Sequence, residues 1–401
     1  MRLFGPKNTG FAITRATFFL LAIAACPNFA LAQDRDAIVF EFGDQFGTDF
    51  QFSDIGGFTS NGVNAVGNGD GMARLVQIAP GGGAFSSSEL LGVHDTTSAN
   101  GISFDGSRIA GTSLSSDFSI IEATTWLSSA PSSVLGLGFG GSLSTLSEGL
   151  GASSDFVVGS NSGASDAFMW SSLDNQFDIL PDSGASSAAD ISQDGNIVVG
   201  SSTDFGAVAG AVYWDDSGIN QLDDPFGRAG VANAISPSAM HIGGNLEFFD
   251  PGTFETGTQA AVWSGNSFAA LTLLEELDGA GNLTRLLGSV NDVSASGYAV
   301  GAGEDGSAFI WHPTFDGINS QFLGAQNFDD WLLSETGITL DTMSISLAGI
   351  SEDLFTGDLH FAVNGSTPSI VTVRSNSVPE PSALLTLLLG FLAFSIRRKR
   401  S

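Results

Sequence analysis

The sequence predicts an all-β fold, a β-propeller of six to seven blades, and three observations lead to that class. The 401 residues include 52 Gly but 12 Pro and 14 % charged residues, a composition that suits short strands joined by tight turns. Five tryptophans recur at intervals of 44, 44, 49 and 48 residues. Before each tryptophan the same pattern recurs: an apolar residue and Ser, a turn, a few β-formers and Gly. Four short strands in a period of that length are typical of a propeller blade.

The repeat unit is clearest around residues 191–214. Ile191 and Ser192 precede a turn at Asp194 and Gly195, a β-forming stretch follows at residues 197–200, and the unit ends at Trp214. Asp-Gly and Ser-Gly pairs favour tight turns, and the aromatic residues of each unit are expected to pack inward. A degraded copy without its tryptophan ends the body at residues 350–363, and another begins it around residues 63–67. The other recurring tryptophans are Trp126, Trp170, Trp263 and Trp311.

Ring closure and one helix complete the predicted body. A linear β-solenoid is the alternative, but its coils are usually nearer half this length, and a leading strand at residues 38–42 is available to complete the last blade. Residues 327–337 predict a short helix that begins at Asn327 or Asp329, ends at Gly337 and packs over the final repeat.

The charge differs sharply between the ends and the middle of the chain. Seven of the 13 basic residues lie in the first 15 residues or at the extreme C-terminus, whereas all 43 acidic residues lie between them. Without its basic ends the body carries a net charge of about −37 and no lysine. Such a charge argues against binding to nucleic acid or to anionic lipid surfaces, and it favours solubility and attraction of cations.

Residues 1–32 predict a cleavable export signal. Arg2, Lys7 and Arg15 precede an apolar run at residues 16–25. Ala30 and Ala32 then form a small-x-small site, at which a signal peptidase cuts before Gln33. The single cysteine, Cys26, follows a sequence that loosely resembles a lipoprotein box, so its lipidation stays open. Because Cys26 lies in the leader, no disulfide is expected in the body.

Residues 376–401 predict a short membrane anchor that can be removed. The motif Val378, Pro379, Glu380, Pro381 precedes an apolar run at residues 383–396, which is 14 residues or roughly 21 Å as a helix, shorter than a bilayer core of roughly 30 Å. A basic cluster follows and is expected to stay cytoplasmic and stop transfer. The cluster consists of Arg397, Arg398, Lys399 and Arg400.

This tail resembles the PEP-CTERM sorting signal of Gram-negative bacteria, which combines a Pro-Glu-Pro motif, a short membrane helix and an Arg-rich end in this order. The resemblance implies recognition by an exosortase, a membrane-embedded processing enzyme, with Pro379, Glu380 and Pro381 as the recognition motif. It also implies transient residence in the inner membrane, followed by delivery to the cell surface or to an exopolysaccharide matrix.

The repeats resemble the HAF extracellular repeats, in which a strand ending in Val-Val-Gly is followed by His-Ala-Phe-x-Trp. Residues 166–170 and 307–311 match the second element, but Asp166 and Ser307 stand where the family has histidine. The resemblance covers roughly residues 60–375, implies an exported repeat domain and names no chemistry. The propeller domain as a whole is predicted to occupy residues 33–375.

No constellation of residues predicts catalysis. His94, His241, His312 and His360 show no paired metal-ligand spacing. Adjacent acidic pairs such as Glu275 and Glu276 are expected by chance among so many acidic residues, and neighbours on a strand point to opposite faces. Calcium remains possible because it prefers carboxylate oxygens, but the pattern of a complete calcium loop is missing, and Asp105, Asp194 and Asp305 are interpreted as turn residues.

We therefore expect a non-enzymatic exported protein of the cell surface or extracellular matrix, with neither a catalytic residue nor a bound metal. The alternative is a propeller that binds or degrades exopolysaccharide. A degrading enzyme would need one blade with unusual polar residues at the channel, and no copy of the repeat shows them clearly.

Overall fold

The computed structural model describes residues 36–375 except for 43–48, 60–61, 80–84, 118, 138–146, 162–164, 183, 207, 251, 253, 279, 281, 317–323 and 341–344. The predicted leader, the sorting motif with Val378 and Pro379, and the basic cluster lie outside the described residues. No helix in the described part of the chain is long and apolar enough to cross a membrane.

Most described strands belong to seven four-stranded antiparallel sheets, the blades of a propeller, so the predicted all-β propeller fold is confirmed with seven blades. The chain enters through β1 (Ala37–Glu41) and then forms the blades in order. Blade 1 contains β2 (Gln51–Thr59), β3 (Gly62–Gly69), β4 (Met72–Ile78) and β5 (Phe85–Leu90). Blade 2 contains β6 (Thr96–Ile102), β7 (Arg108–Leu114), β8 (Ile121–Leu127) and β9 (Ala130–Gly136). Blade 3 contains β10 (Ser147–Ala152), β11 (Phe156–Asn161), β12 (Asp166–Ser171) and β13 (Gln176–Ile179).

Blades 4 and 5 contain β14 (Ser186–Ile191), β15 (Val198–Ser202), β16 (Gly210–Asp215), β17 (Gly218–Gln221); and β18 (Gly230–Ile235), β19 (His241–Asp250), β20 (Glu255–Ser264), β21 (Ala270–Leu273). A separate hairpin follows, consisting of β22 (Glu275–Leu277) and β23 (Leu283–Arg285). Blades 6 and 7 contain β24 (Gly288–Val293), β25 (Ala299–Gly303), β26 (Ala308–Trp311), β27 (Gln326–Asn327); and β28 (Ser346–Glu352), β29 (Leu359–Asn364), β30 (Ser369–Val373).

The N-terminal strand closes the ring, as the sequence predicts. Strand β1 pairs antiparallel with β30 and becomes the outer strand of blade 7, with Val39 opposite Val371. Backbone hydrogen bonds from Phe42 to Pro368 and from Arg374 to Asp36 extend this pairing at both ends. The first and last segments of the domain thus share one sheet, which joins the two ends of the ring.

The recurring tryptophans lie at one equivalent position on the third strand of blades 2 to 6. Each is at most 4 % exposed and is paired with an apolar residue of the second strand, such as Ile242 with Trp263. The indole Nε1 of Trp126, Trp214 and Trp263 donates to a backbone carbonyl in the loop that leads into its blade. In blades 1 and 7 the strand register places Val76 and Val371 at this position, which explains the missing tryptophans of the two degraded copies.

The predicted helix is confirmed as α1 (Phe328–Thr336). The side chain of Asn327 accepts hydrogen bonds from the backbone N–H of Asp329 and Asp330, and Gly337 ends the helix with φ 73°. Trp331 and Phe328 pack on Phe361 of blade 7, with ring centroids 5.5 and 4.9 Å apart, so the helix covers the final repeat.

Candidate functional site

The first strand of every blade contains a β-bulge at the same place. The pairing skips one residue, for example Ala189 between Ala188 and Asp190, and the next residue faces the channel and the following blade. Because first strands of neighbouring blades contact one another around the ring, these seven positions come together at one end of the channel. In chain order they are Asp54, Gly101, Gly151, Asp190, Ala234, Asp292 and Gly349.

Three of these positions hold aspartates, and each aspartate joins two blades. The Asp190 Oδ1 atom accepts from the backbone N–H of Ile191 at 2.7 Å, and its Oδ2 atom accepts from the N–H of Ile235 in blade 5 at 2.9 Å. Asp54 bonds in the same way to Ile55 and to Ile102 of blade 2, and Asp292 to Val293 and to Ile350 of blade 7, all at 2.7 or 2.8 Å. We call Asp54, Asp190 and Asp292 the channel aspartates.

At two of the other positions a side chain would come too close to the channel aspartates. A Cβ atom on Gly349 would lie 2.9 Å from Oδ1 of Asp54 and 3.1 Å from Oδ2 of Asp292. A Cβ atom on Gly151 would lie 2.7 Å from the Cα atom of Asp190. A ring of seven larger residues would therefore not fit.

Burial dominates the electrostatics of the channel aspartates. Removal from water raises the pKa of Asp190 to about 7 and that of Asp292 to about 6, although backbone N–H donors favour the charged form of both. Burial also raises the pKa of Asp54 well above its ordinary value, and the negative charge of Asp292 adds to the rise. The cavity between the three carboxylates measures about 50 Å³, which leaves room for a few water molecules but not for a sugar ring.

The channel aspartates were not predicted from the sequence. No copy of the repeat was expected to stand out by unusual polar residues at the channel. The structure corrects this expectation, because the aspartates stand in three blades and bind backbone N–H groups. A signal was present in the sequence, since Asp190 and Asp292 directly precede the apolar-Ser pairs that begin two copies of the repeat.

The histidines were expected to stand alone. Burial is the main cause of the lowered pKa of His312, and the charge of His241 also lowers it. Burial likewise lowers the pKa of His241, and the ring of His312 packs on Tyr298 with centroids 4.2 Å apart. His94 lies 3.0 Å from Glu122, and buried His360 lies 2.8 Å from the Thr372 hydroxyl. Among the described residues no group of three or more His, Cys, Asp or Glu side chains could hold a metal ion.

The predicted turn residues are confirmed as such. Oδ1 of Asp105 accepts from the backbone N–H and the hydroxyl of Ser107, and Asp305 binds Ser307 in the same way. Asp194 accepts from the backbone N–H of Asn196. These carboxylates stabilise the tight turns between strands.

The larger cavities lie at the opposite end of the first strands, between blades 5 and 6. Strands β19 and β20 are ten residues each, and their hairpin extends past the neighbouring strand β21. Together with the separate hairpin β22–β23 it borders a cavity of about 810 Å³, lined in part by Phe248, Glu276 and Arg285. A second cavity of about 560 Å³ includes Phe249, and Phe248 and Glu304 line both cavities. We call the two cavities together the rim cleft.

Exposed aromatic rings surround the rim cleft. Four phenylalanines in the described part of the chain are more than half exposed, and three of them lie on blade 5 or the loop before it: Phe226 at 76 %, Phe249 at 59 % and Phe254 at 78 %. The rings of Phe249 and Phe254 meet edge to face across the long hairpin, 6.3 Å apart. A concentration of exposed apolar rings next to a cavity is typical of a binding surface.

The charges of the rim cleft are mostly negative. Arg285 lies over the ring of Phe248 at 5.0 Å and forms an ion pair with Asp250 at 3.4 Å. Arg228 forms an ion pair with Asp224 at 2.8 Å. Burial, followed by the charge of Asp305, raises the pKa of Glu276. Five carboxylates line the cleft against two arginines that already have partners: Glu247, Glu275, Glu276, Glu304 and Asp305.

Comparison with known proteins identifies the tail. A family described as the PEP-CTERM protein-sorting motif matches residues 377–400, so this sequence prediction is confirmed, while the match includes no part of the propeller. No curated protein matches the chain.

The chain is similar to solved structures of low sequence identity. The β-propeller domain of the Trilobed protease from Pyrococcus furiosus is 9 % identical, with a TM-score of 0.47 over 83 % of this chain and 97 % of that one. The putative TolB from Agrobacterium tumefaciens is 14 % identical, with a TM-score of 0.44 over 65 % and 94 %. TolB from Acinetobacter baumannii is 13 % identical, with a TM-score of 0.39 over 84 % and 66 %. The propeller fold of this chain is defined by its own strand pairing, with seven four-stranded sheets.

Proposed function

We propose that this chain is a non-enzymatic protein of the cell surface or extracellular matrix, delivered there by an exosortase-type enzyme that reads its C-terminal motif. One observation carries the proposal: the sorting motif at residues 377–400 begins four residues after the last propeller strand ends at Val373. A closed domain with a sorting signal directly behind it suits a cargo that is exported, held at the inner membrane and then passed outward. The predicted leader and the HAF-like repeats are consistent with this route.

The channel aspartates support a structural rather than a catalytic use of the ring centre. Glycosidases place two carboxylates on either side of a sugar bond and need space for the sugar between them. Here all three carboxylates are bound to backbone N–H groups, and the cavity of about 50 Å³ is too small for such a substrate.

The first test concerns the tail. Replacing Pro379, Glu380 and Pro381 with alanine should leave a membrane-held protein that keeps Arg397 to Arg400, because the processing enzyme no longer finds its motif. Intact mass spectrometry of the envelope fraction measures this. The control Ser375→Ala with Asn376→Ala changes the same linker outside the motif and should be processed normally. Wild-type protein that retains its basic end in the mature fraction contradicts the sorting proposal.

The second test concerns catalysis. The purified protein is incubated with a panel of neutral, amino and acidic polysaccharides, and the release of reducing ends is measured. We expect none above the background of a heat-denatured sample. Turnover of any polysaccharide overturns the non-enzymatic proposal while leaving the sorting route intact.

A further inference from the structure

The rim cleft differs from the rest of the propeller in origin as well as in size. It arises where the repeat is longest, because the intervals that end at Trp263 and Trp311 are 49 and 48 residues instead of 44. These two intervals contain the extension of β19–β20 and the hairpin β22–β23. Blades 5 and 6 therefore carry structure that ring formation does not need.

The cleft combines an aromatic surface with carboxylates. Phe249 is 59 % exposed and lines the smaller cavity, while Glu275 and Glu276 line the larger one. Glu304 lies between them, and its Oε1 atom accepts from the backbone N–H of Thr258 at 3.0 Å, which fixes its position. A sugar ring offers a face of C–H groups that packs on an aromatic ring and a perimeter of hydroxyl groups that donate to carboxylates.

The charge of the cleft selects among sugars. Five carboxylates line it, and the two arginines are engaged by Asp224 and Asp250. A polysaccharide with carboxylate groups would bring like charges together in a partly enclosed site, where Coulomb repulsion is less screened than in open water. A neutral or amine-bearing polysaccharide avoids this repulsion.

We propose that the rim cleft binds a segment of polysaccharide that carries no acidic groups, with one sugar face packed on Phe249 and hydroxyl or amino groups bonded to Glu276 and Glu304. This inference rests on the proposed function, because a protein at the cell surface or in the extracellular matrix is exposed to polysaccharide there. It assigns the binding to the extended parts of blades 5 and 6 and not to the channel.

The experiment measures binding by isothermal titration calorimetry on the full-length chain in mild detergent at pH 7. The probes are cellohexaose, which is neutral, the hexamer of glucosamine, which carries amines, and hexagalacturonate, which is acidic. We expect the two probes without acidic groups to bind, and hexagalacturonate to bind at least tenfold more weakly. Absence of binding for both non-acidic probes, or equal binding of the acidic probe, overturns the proposal.

Variants locate the site. Phe249→Ala and Glu276→Gln should each weaken binding at least fivefold, because one removes the stacking surface and the other a charged acceptor. The matched controls are Phe355→Ala, at a ring 95 % exposed on blade 7, and Glu41→Gln on the exposed end of β1, and neither should change binding. Equal melting temperatures show that the variants are folded. Unchanged affinity in Phe249→Ala contradicts the proposal. Binding of a protein partner at Phe249, without binding of any glycan, also contradicts it.

These outcomes are separate from those of the proposed function. Binding to purified protein does not depend on processing of the tail, and retention of Arg397 to Arg400 in the cell does not depend on the cleft. Either result can therefore fail while the other holds.

Discussion

The two ends of strand β24 show two uses of the same repeat. Near the C-terminal end of the strand, the carboxylate of Asp292 accepts hydrogen bonds from the backbone N–H of Val293 and of Ile350 in the next blade. The cavity beside this carboxylate measures only about 50 Å³. Before its first residue, Leu286 and Leu287 border a cavity of about 810 Å³. One end of β24 joins two blades through a buried carboxylate, and the other end borders a solvent-accessible cavity.

The difference teaches where function can be sought in a repeat fold. The channel end is built from positions that recur in all seven blades, so its polar groups are engaged in joining the blades. The rim cleft is built from segments found in blades 5 and 6, and several of their phenylalanine side chains are exposed. Substitutions at the two ends should therefore separate stability from binding.

The largest effect on stability is expected from Asp190→Ala. The change leaves the buried N–H groups of Ile191 and Ile235 without an acceptor, which costs about 2–4 kcal/mol at pH 5.5, since an unsatisfied buried donor costs about 1–3 kcal/mol. Urea unfolding measures the loss, and the exposed control Asp216→Ala should change stability by less than about 0.5 kcal/mol. Glycan binding should stay unchanged. A neutral effect at position 190 would show that the carboxylate does not join the blades.

The next effect concerns pH. Burial raises the pKa of Asp190 to about 7 and that of Asp292 to about 6 in the folded protein, above the ordinary value of 3.8. In the folded protein these two carboxylates take up their protons at a higher pH than in the unfolded chain, so their contribution to stability should rise as the pH falls from about 8 to about 5. Burial lowers the pKa of His241, His312 and His360, which opposes this rise below about pH 6.5. Below about pH 4 the trend reverses, because carboxylates with a lowered pKa such as Asp224 lose their interactions.

Melting temperatures at pH 8, 6.5 and 5 test this dependence. The double variant Asp190→Asn with Asp292→Asn removes both titrating carboxylates but keeps the histidines, so the melting temperature of the wild type relative to that of the variant should rise as the pH falls. A difference in melting temperature that is constant, or that moves against the wild type, between pH 8 and pH 5 contradicts the assignment.

A smaller effect is expected at a buried residue in the blade that carries the cleft. Trp263→Phe removes the hydrogen bond from Nε1 to the carbonyl of Asp223, at 2.9 Å, and should cost about 1–2 kcal/mol without changing glycan binding. In Trp170→Phe the lost bond, to Oδ1 of Asn175, is 3.3 Å long, so the cost should be smaller. Equal losses in the two variants would show that ring volume, and not the hydrogen bond, decides the effect.

The period of the tryptophans predicted the blades because one buried position on the third strand repeats in sequence. The helix at Asn327 was also predictable, since its capping residue and its terminal Gly337 are local signals. The pairing of β1 with the last blade was predictable because residues 38–42 form a strand that precedes the first repeat. The strands, turns and helix depend on local signals, and the repeat period then predicts how many blades the chain forms.

The channel aspartates and the rim cleft depend on neighbours that are distant in sequence. Asp190 and Ile235 are 45 residues apart, and the bulge that directs the carboxylate to the next blade has no sequence signal of its own. The cleft could be suspected only from the longer intervals before Trp263 and Trp311. Their length shows that segments are inserted, but not that β19–β20 and β22–β23 border a common cavity.

The smallest effect on stability is expected in the cleft. Phe249 is exposed and contacts Phe254 across the hairpin, so Phe249→Ala should change the free energy of unfolding by less than about 0.5 kcal/mol. The same variant is expected to lose glycan binding, which reverses the pattern of Asp190→Ala. Urea unfolding and calorimetry on both variants measure the two properties side by side. A large loss of stability in Phe249→Ala would mean that the extended hairpin supports blade 5, and that the two ends of the propeller share one structural role.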